Sequence, residues 1–256
     1  MHKLFLMVLA FFLVHFLSCS SEPIKGKTPA EGLFLEAKRM VGKKRFIGAT
    51  EQLNNLRTQY PFSFYAVPAE LLQADIYFMQ ENFEEATAAY MQFRDLHPKH
   101  EQIDYVIFRI GESFYQQTPS TFDRDLTSAV NAEKFFKEIV EKYPQSIYLK
   151  ESKEKIILIQ EKIISKEKYI ADFYYKTANY DAALWRYKYI LENFKEESIV
   201  KHSKFRVILS LAKLDKCEDC LEQIKTDAPV FTEAQVRELN SIVDDCSKRL
   251  KGTKYE

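Results

Sequence analysis

Five segments of the chain carry the same spacing of apolar residues in one phase: RFIGATEQLNNLRTQYP, NFEEATAAYMQFRDLHP, NAEKFFKEIVEKYP, NYDAALWRYKYILENFK and CEDCLEQIKTDAP. Each is registered on a small residue: Ala49, Ala86, Ala132, Ala183 and Cys217. Four positions on stand Leu53, Tyr90, Phe136, Tyr187 and Leu221, and seven on stand Leu56, Phe93, Ile139, Ile190 and Ile224. Positions i, i+4 and i+7 share one face of an α-helix. Twelve positions after the anchors come Pro61, Pro98, Pro144, Lys195 and Pro229. A proline cannot continue a helix and pushes the residue before it out of the helical region, so each segment predicts a helix that ends there. Twelve positions before three of the anchors lie Ala37, Ala74 and Ala171, small enough for a partner helix to approach closely.

Paired helices at a period near 34 residues are the tetratricopeptide pattern. Pro61 and Pro98 are 37 residues apart, and Lys195 and Pro229 are 34 apart. The 46 residues from Pro98 to Pro144 imply an insertion, placed at the loop-like stretch Gln117 to Asp125. The 51 residues from Pro144 to Lys195 imply an elongated first helix, its excess lying in the polar-faced run Tyr148 to Lys168. The predicted fold is all-α: an elongated solenoid of about five such helix pairs, with a final helix from Glu233 to Lys251 capping the stack. The predicted layout is 1–18 signal peptide, 19–29 tether, 30–116 repeats 1–2 with the first helix of repeat 3, 117–125 inserted loop, 126–231 remaining repeats, and 232–256 capping helix and tail.

The N-terminus stands apart from this pattern. After Lys3 comes the apolar run Leu4 to Leu17, then Ser18-Cys19-Ser20-Ser21. A charged start, a short apolar stretch and small residues describe an export signal, and the run is too short for a comfortable membrane span. A Cys directly after a small residue resembles the bacterial lipobox, so Cys19 is the expected acylation site and its lipid the expected membrane anchor. Ser20 rather than Asp after the Cys resembles the outer-membrane sorting preference, which puts the chain on the periplasmic face of that membrane.

Charge and candidate chemistry narrow the function. With 37 Lys+Arg against 37 Asp+Glu the chain lacks the cationic excess of a nucleic-acid binder. Export implies an oxidising compartment, where thiols pair. Cys217-Glu-Asp-Cys220 could be a redox pair or half a zinc site, but no βαβ pattern accompanies it, and only Cys246 and the distant His202 could complete a zinc site. The favoured reading is structural, with Cys246 bridged to Cys217 or Cys220. His97 and His100 flank Pro98, which breaks any helix that would align their rings, so they read as a turn. No nucleophile motif, phosphate-cradling loop or dinucleotide fingerprint occurs, so no enzyme and no metal or cofactor beyond the lipid on Cys19 is expected.

Several strings sharpen the picture: YPFSFYA at Tyr60 to Ala66, LHPKHEQIDY at Leu96 to Tyr105, FDRD at Phe122 to Asp125, YPQSIY at Tyr143 to Tyr148, Glu167 and Ala171 with Tyr174, and NYDAALWRYKYILENF. In this order and spacing they resemble the BamD family of outer-membrane assembly lipoproteins, over roughly residues 28 to 230. Two positions depart from its pattern: Lys195 replaces a proline, and Ile110 stands where an arginine would precede Gly111. The resemblance implies a non-enzymatic scaffold of the β-barrel assembly (BAM) machinery. Its implied partners are the periplasmic domains of BamA, other BAM lipoproteins and the C-terminal β-signals of nascent outer-membrane proteins. It also implies that Arg186, beside Trp185, contacts BamA. The candidate peptide groove is the aromatic turn Tyr60, Phe62, Phe64 and Tyr65, whose chemistry suits an extended peptide with aromatic side chains. Tyr77 and Tyr90, at repeat positions, read as core. The rival readings are another periplasmic adaptor lipoprotein, of the Tol-system or cell-division type, and a disulfide enzyme built on the CxxC.

Overall fold

The computed structural model describes residues 26–252, so the export-signal run and Cys19 lie outside the described residues. These form eleven α-helices: α1 (Pro29–Gly42), α2 (Phe46–Gln59), α3 (Ala66–Met79), α4 (Phe83–Leu96), α5 (Ile103–Gln116), α6 (Thr127–Lys142), α7 (Leu149–Lys176), α8 (Tyr180–Asn193), α9 (Glu197–Lys213), α10 (Cys217–Asp227) and α11 (Glu233–Gly252). A 3₁₀ turn, Ala228–Val230, follows α10. The chain divides into two compact units between Val106 and Ile107, inside α5.

The first unit buries Ala37, Ala49, Leu53, Leu56, Ala66, Ala69 and Ile76 in one core, with α1 against α2, α2 against α3 and α3 against α4. In the second unit α6 to α11 pack each on the next, and α9 also touches α7 and α11. Its core gathers Ala171, Ala183, Tyr187, Ile190, Ile208, Cys220 and Leu239 among others. The all-α fold built from helix pairs is therefore the one the periodicity predicts, and α11 packs on the last pair as a cap.

Helix ends follow from local chemistry. Thr28 caps α1, its hydroxyl accepting from the Glu31 N–H at 3.1 Å, with Pro29 preset at the first helical position. Thr232 and Gln235 form a reciprocal box at the start of α11. At the other ends, Tyr60, His97 and Tyr143 each precede a proline and share φ near −130° with ψ of 53, 54 and 60°. That is the steric displacement a following proline imposes.

Within four of the pairs the first helix ends in one motif. Lys44, Glu81, Ala178 and Asp215 adopt φ between 56 and 63°. The next residue's N–H then reaches back five positions: Arg45 to Met40, Asn82 to Tyr77, Asn179 to Tyr174 and Lys216 to Leu211, at 2.9–3.0 Å. This is a Schellman cap whose left-handed residue is not glycine. It corrects the register expected for the last pair. The left-handed residue lies five positions before Ala49, Ala86 and Ala183, and five after Asp215 comes Cys220, not Cys217. Cys220 is the buried anchor, packed on Ile208 twelve positions earlier, and Cys217 is the first residue of α10. Pro229 stands three positions early for this register, and α10 has 11 residues where α2, α4 and α8 have 14.

The inserted loop and the elongated helix explain each other. α7 runs for 28 residues. Lys162 Nζ donates to the Pro119 carbonyl at 2.7 Å, Lys166 Nζ donates to that of Arg124 at 2.5 Å, and the Phe122 and Tyr169 rings meet edge-on. Asp125 closes the loop by accepting from the N–H and hydroxyl of Thr127 at the start of α6. The Thr127 bonds hold its carboxyl below the usual range.

Candidate functional site

The aromatic turn between α2 and α3 is two overlapping tight turns, Ser63 N–H to the Tyr60 carbonyl at 3.0 Å and Ala66 N–H to that of Ser63 at 3.1 Å. They sort its four aromatics. Phe62 is fully exposed and Phe64 is 85% exposed. Tyr65 turns inward, 5.4 Å from the Phe34 ring, against the first unit's core. Tyr60, half-buried, is the α2 C-cap. Of the four expected groove residues, the turn therefore presents Phe62 and Phe64 to solvent.

Phe64 borders a cleft of about 780 Å³ whose walls include Val67, Pro68, Leu96 and Pro98, with Lys99, His100 and Gln102 also lining it. His97, the C-cap of α4, holds its wall through a 2.9 Å bond from Nε2 to Glu70 Oε2, and the rings of His97 and His100 both pack on Phe93. A lining of apolar and polar groups together can accept an aromatic or aliphatic side chain while bonding a peptide backbone. Tyr90 is fully buried, as read from its repeat position, while Tyr77 is half-buried and lines a smaller cavity with Arg57 and Gln73.

The second surface lies on α8. Trp185 is 60% exposed and stacks on Tyr189, centroids 5.9 Å apart at 13°. Arg186 lays its guanidinium 5.1 Å from the Trp185 ring and donates from Nη1 to Glu167 Oε2 on α7 at 3.2 Å. On α7, Asp172 accepts from Tyr187 at 2.6 Å and pairs with His202 at 2.9 Å and Lys168 at 2.7 Å. Burial would push the Asp172 carboxyl up, but the bonds from His202, Lys168 and Tyr187 outweigh it and hold the group well below the usual range. Burial and the bond to Asp172 push the Tyr187 phenol far up. Asp75 repeats the arrangement in the first unit, accepting from Tyr90 at 2.5 Å and Tyr105 at 2.6 Å. In both, partners stand 15 and 30 residues after the aspartate, a spacing visible in the sequence that the apolar periodicity alone passes over.

Cys217, Cys220 and Cys246 are buried, unpaired thiols, with Cys246 of α11 interacting with both others. Burial, then the contact with Cys246, pushes Cys217 up to about 12, the opposite of what a reactive thiol needs. Among the described residues no group of three His, Cys, Asp or Glu is placed to hold a metal ion, and no helix is long and apolar enough to cross a membrane.

The repeated helix pairs define a repeat protein of the tetratricopeptide class. The chain belongs to the family described as "YfiO: Outer membrane lipoprotein", whose model matches residues 27–215. It is 28% identical over 195 residues to an outer membrane protein assembly factor BamD of Neisseria gonorrhoeae, covering 73% of each chain. To the protein of that name in Rickettsia prowazekii it is 27% identical over 186 residues, covering 73% of this chain and 74% of the other. Among solved structures it is similar to the "TPR2AB-domain:pHSP90-complex of yeast Sti1", at 11% identity and a TM-score of 0.43, covering 87% of this chain and all of that one.

Proposed function

We propose that this protein is a lipid-anchored scaffold that assembles outer-membrane β-barrel proteins, without catalysing a reaction itself. Acylated Cys19 holds it on the periplasmic face of the outer membrane. The α8 surface around Trp185 and Arg186 binds the periplasmic domains of BamA, other BAM lipoproteins complete the complex, and the cleft beside Phe64 receives the C-terminal β-signal of a nascent barrel. The observation that carries the reading is the exposure of Phe62 and Phe64 on a turn stiffened by two backbone hydrogen bonds, next to an apolar cleft, in a chain of this family. Exposed aromatics on a fixed backbone offer contact area at little entropic cost, which suits one partner after another.

The disulfide-enzyme reading is opposed by the burial and raised pKa of Cys217. Affinity purification of the full chain from detergent-solubilised outer membranes tests the scaffold. A barrel-forming assembly subunit should co-purify; recovery of the chain without one overturns the proposal and favours an adaptor of another envelope system.

A further inference from the structure

The family match ends at residue 215, so α10 and α11, with all three described cysteines, lie outside it. α11 carries charged residues along its outer face and packs on the last pair through Leu239, Ile242, Cys246 and Leu250. Cys246 is buried against α10, and one turn later Arg249 pairs with Asp215 in the α9–α10 turn at 2.8 Å. The three thiols are not equivalent. Cys220 fills the closed anchor slot and donates to the Ile208 carbonyl at 3.6 Å. Turning its sulfur toward α11 would give up that contact and open the slot. Cys217, at the first position of α10, makes a long 3.8 Å contact to Asp215 Oδ1, the same oxygen that receives Arg249 Nη1 at 2.8 Å one turn after Cys246.

We propose that Cys217 and Cys246 form a disulfide that locks α11 onto the last helix pair, leaving Cys220 as a thiol. The proposal rests on the export reading above, because the oxidant belongs to that compartment: a protein or small-molecule disulfide donor. The Cys246 thiolate attacks one donor sulfur and expels the other as a thiolate. The Cys217 thiolate then attacks the Cys246 sulfur of the mixed disulfide and expels the second donor thiolate. Two electrons pass to the donor, and the two cysteine protons end on its two thiolates, which become thiols. Burial pushes the Cys217 thiol up to about 12, so the exchange is fastest while that thiol is open to solvent.

The full chain is extracted from the membrane fraction in denaturant with an alkylating agent, and its peptides are mapped by mass before and after reduction. A Cys217–Cys246 cross-link with Cys220 alkylated is expected. Any bond through Cys220 overturns the pairing, and three alkylated thiols show that either the pairing or export fails. Refolding the reduced full chain with glutathione and glutathione disulfide separates this failure from that of export. A Cys217–Cys246 bond formed there but absent from cells supports the pairing and overturns export; three free thiols in both overturn the pairing alone. Cys217→Ser and Cys246→Ser should each speed tryptic cleavage after Arg237 and Lys248 by roughly tenfold or more. Cleavage at the wild-type rate would overturn the locking role.

Discussion

Tyr187 donates its hydroxyl to Oδ1 of Asp172 at 2.6 Å, and the same oxygen receives His202 Nε2 at 2.9 Å, so one carboxylate joins α7, α8 and α9. The bonds that hold this carboxyl below its ordinary value of 3.8 exist only in the folded chain. A folded-state pKa lower than the unfolded one stabilises the protein above the unfolded value, and that contribution is lost as pH falls through it toward the folded value. Asp172→Asn should therefore cost about 1–3 kcal/mol at pH 7, measured by urea denaturation, and the gap to the wild type should close below about pH 4. A gap that stays constant from pH 7 to pH 3 would show that the charge of Asp172 contributes nothing.

Gly111→Ala should be destabilising although alanine is the better helix former. A Cβ at this position of α5 would stand 2.9 Å from Phe136 Cε1 and 3.0 Å from Cδ1. Phe136 is fully buried and packed on Phe108, so the ring cannot retreat without disturbing its neighbours. The overpacking is expected to cost about 1–3 kcal/mol, against a propensity gain near 1 kcal/mol. Thermal melts of the two proteins decide it, and Gly111→Ala melting above the wild type would refute the close approach.

The paired helices were legible because five segments repeat i, i+4, i+7 and four of them end on a proline. The register of the last pair was not. Pro229 falls early, and the turn that fixes the register uses Lys44, Glu81, Ala178 and Asp215 where glycine would have announced a left-handed residue. The inserted loop and the length of α7 were each readable, but not their union, since Lys162 and Lys166 bond to backbone carbonyls that carry no sequence signal. At the candidate site, Tyr60, Phe62, Phe64 and Tyr65 look alike by residue type. Two consecutive tight turns decide which face solvent, and turn geometry of that kind is not written in aromatic character. Arg186 was legible as a candidate, but its bond to Glu167, 19 residues away on another helix, was not.

Phe64 and Tyr65 give opposite expectations despite being neighbours. Phe64→Ser removes an exposed ring and should leave the melting curve unchanged, while weakening binding of a peptide with aromatic C-terminal residues by roughly tenfold. Tyr65→Ala removes a ring packed on Phe34 and should lower stability by about 2 kcal/mol. Fluorescence titration and thermal melts on the same preparations separate the two. Unchanged peptide affinity in Phe64→Ser would take this cleft out of the proposed function.

The α8 surface is tested most cleanly at Trp185. Arg186→Glu would set a carboxylate against Glu167, 3.2 Å from the present guanidinium nitrogen, so like-charge repulsion inside the fold would be confused with a lost partner contact. Trp185 is more exposed, and truncating it removes only its stack on Tyr189 and the cover over Arg186, about 1 kcal/mol of local packing. If the ring anchors the periplasmic domains of BamA, Trp185→Ala should cost about 2 kcal/mol of binding, roughly a 30-fold rise in Kd. Arg186→Gln keeps a polar side chain beside Glu167 and loses the charged fork, so it should weaken binding less than Trp185→Ala but make it less sensitive to salt. Calorimetric titration at two ionic strengths, with a melt of each variant, reads both effects. Native affinity in Trp185→Ala with an unchanged melt would move the partner surface off α8.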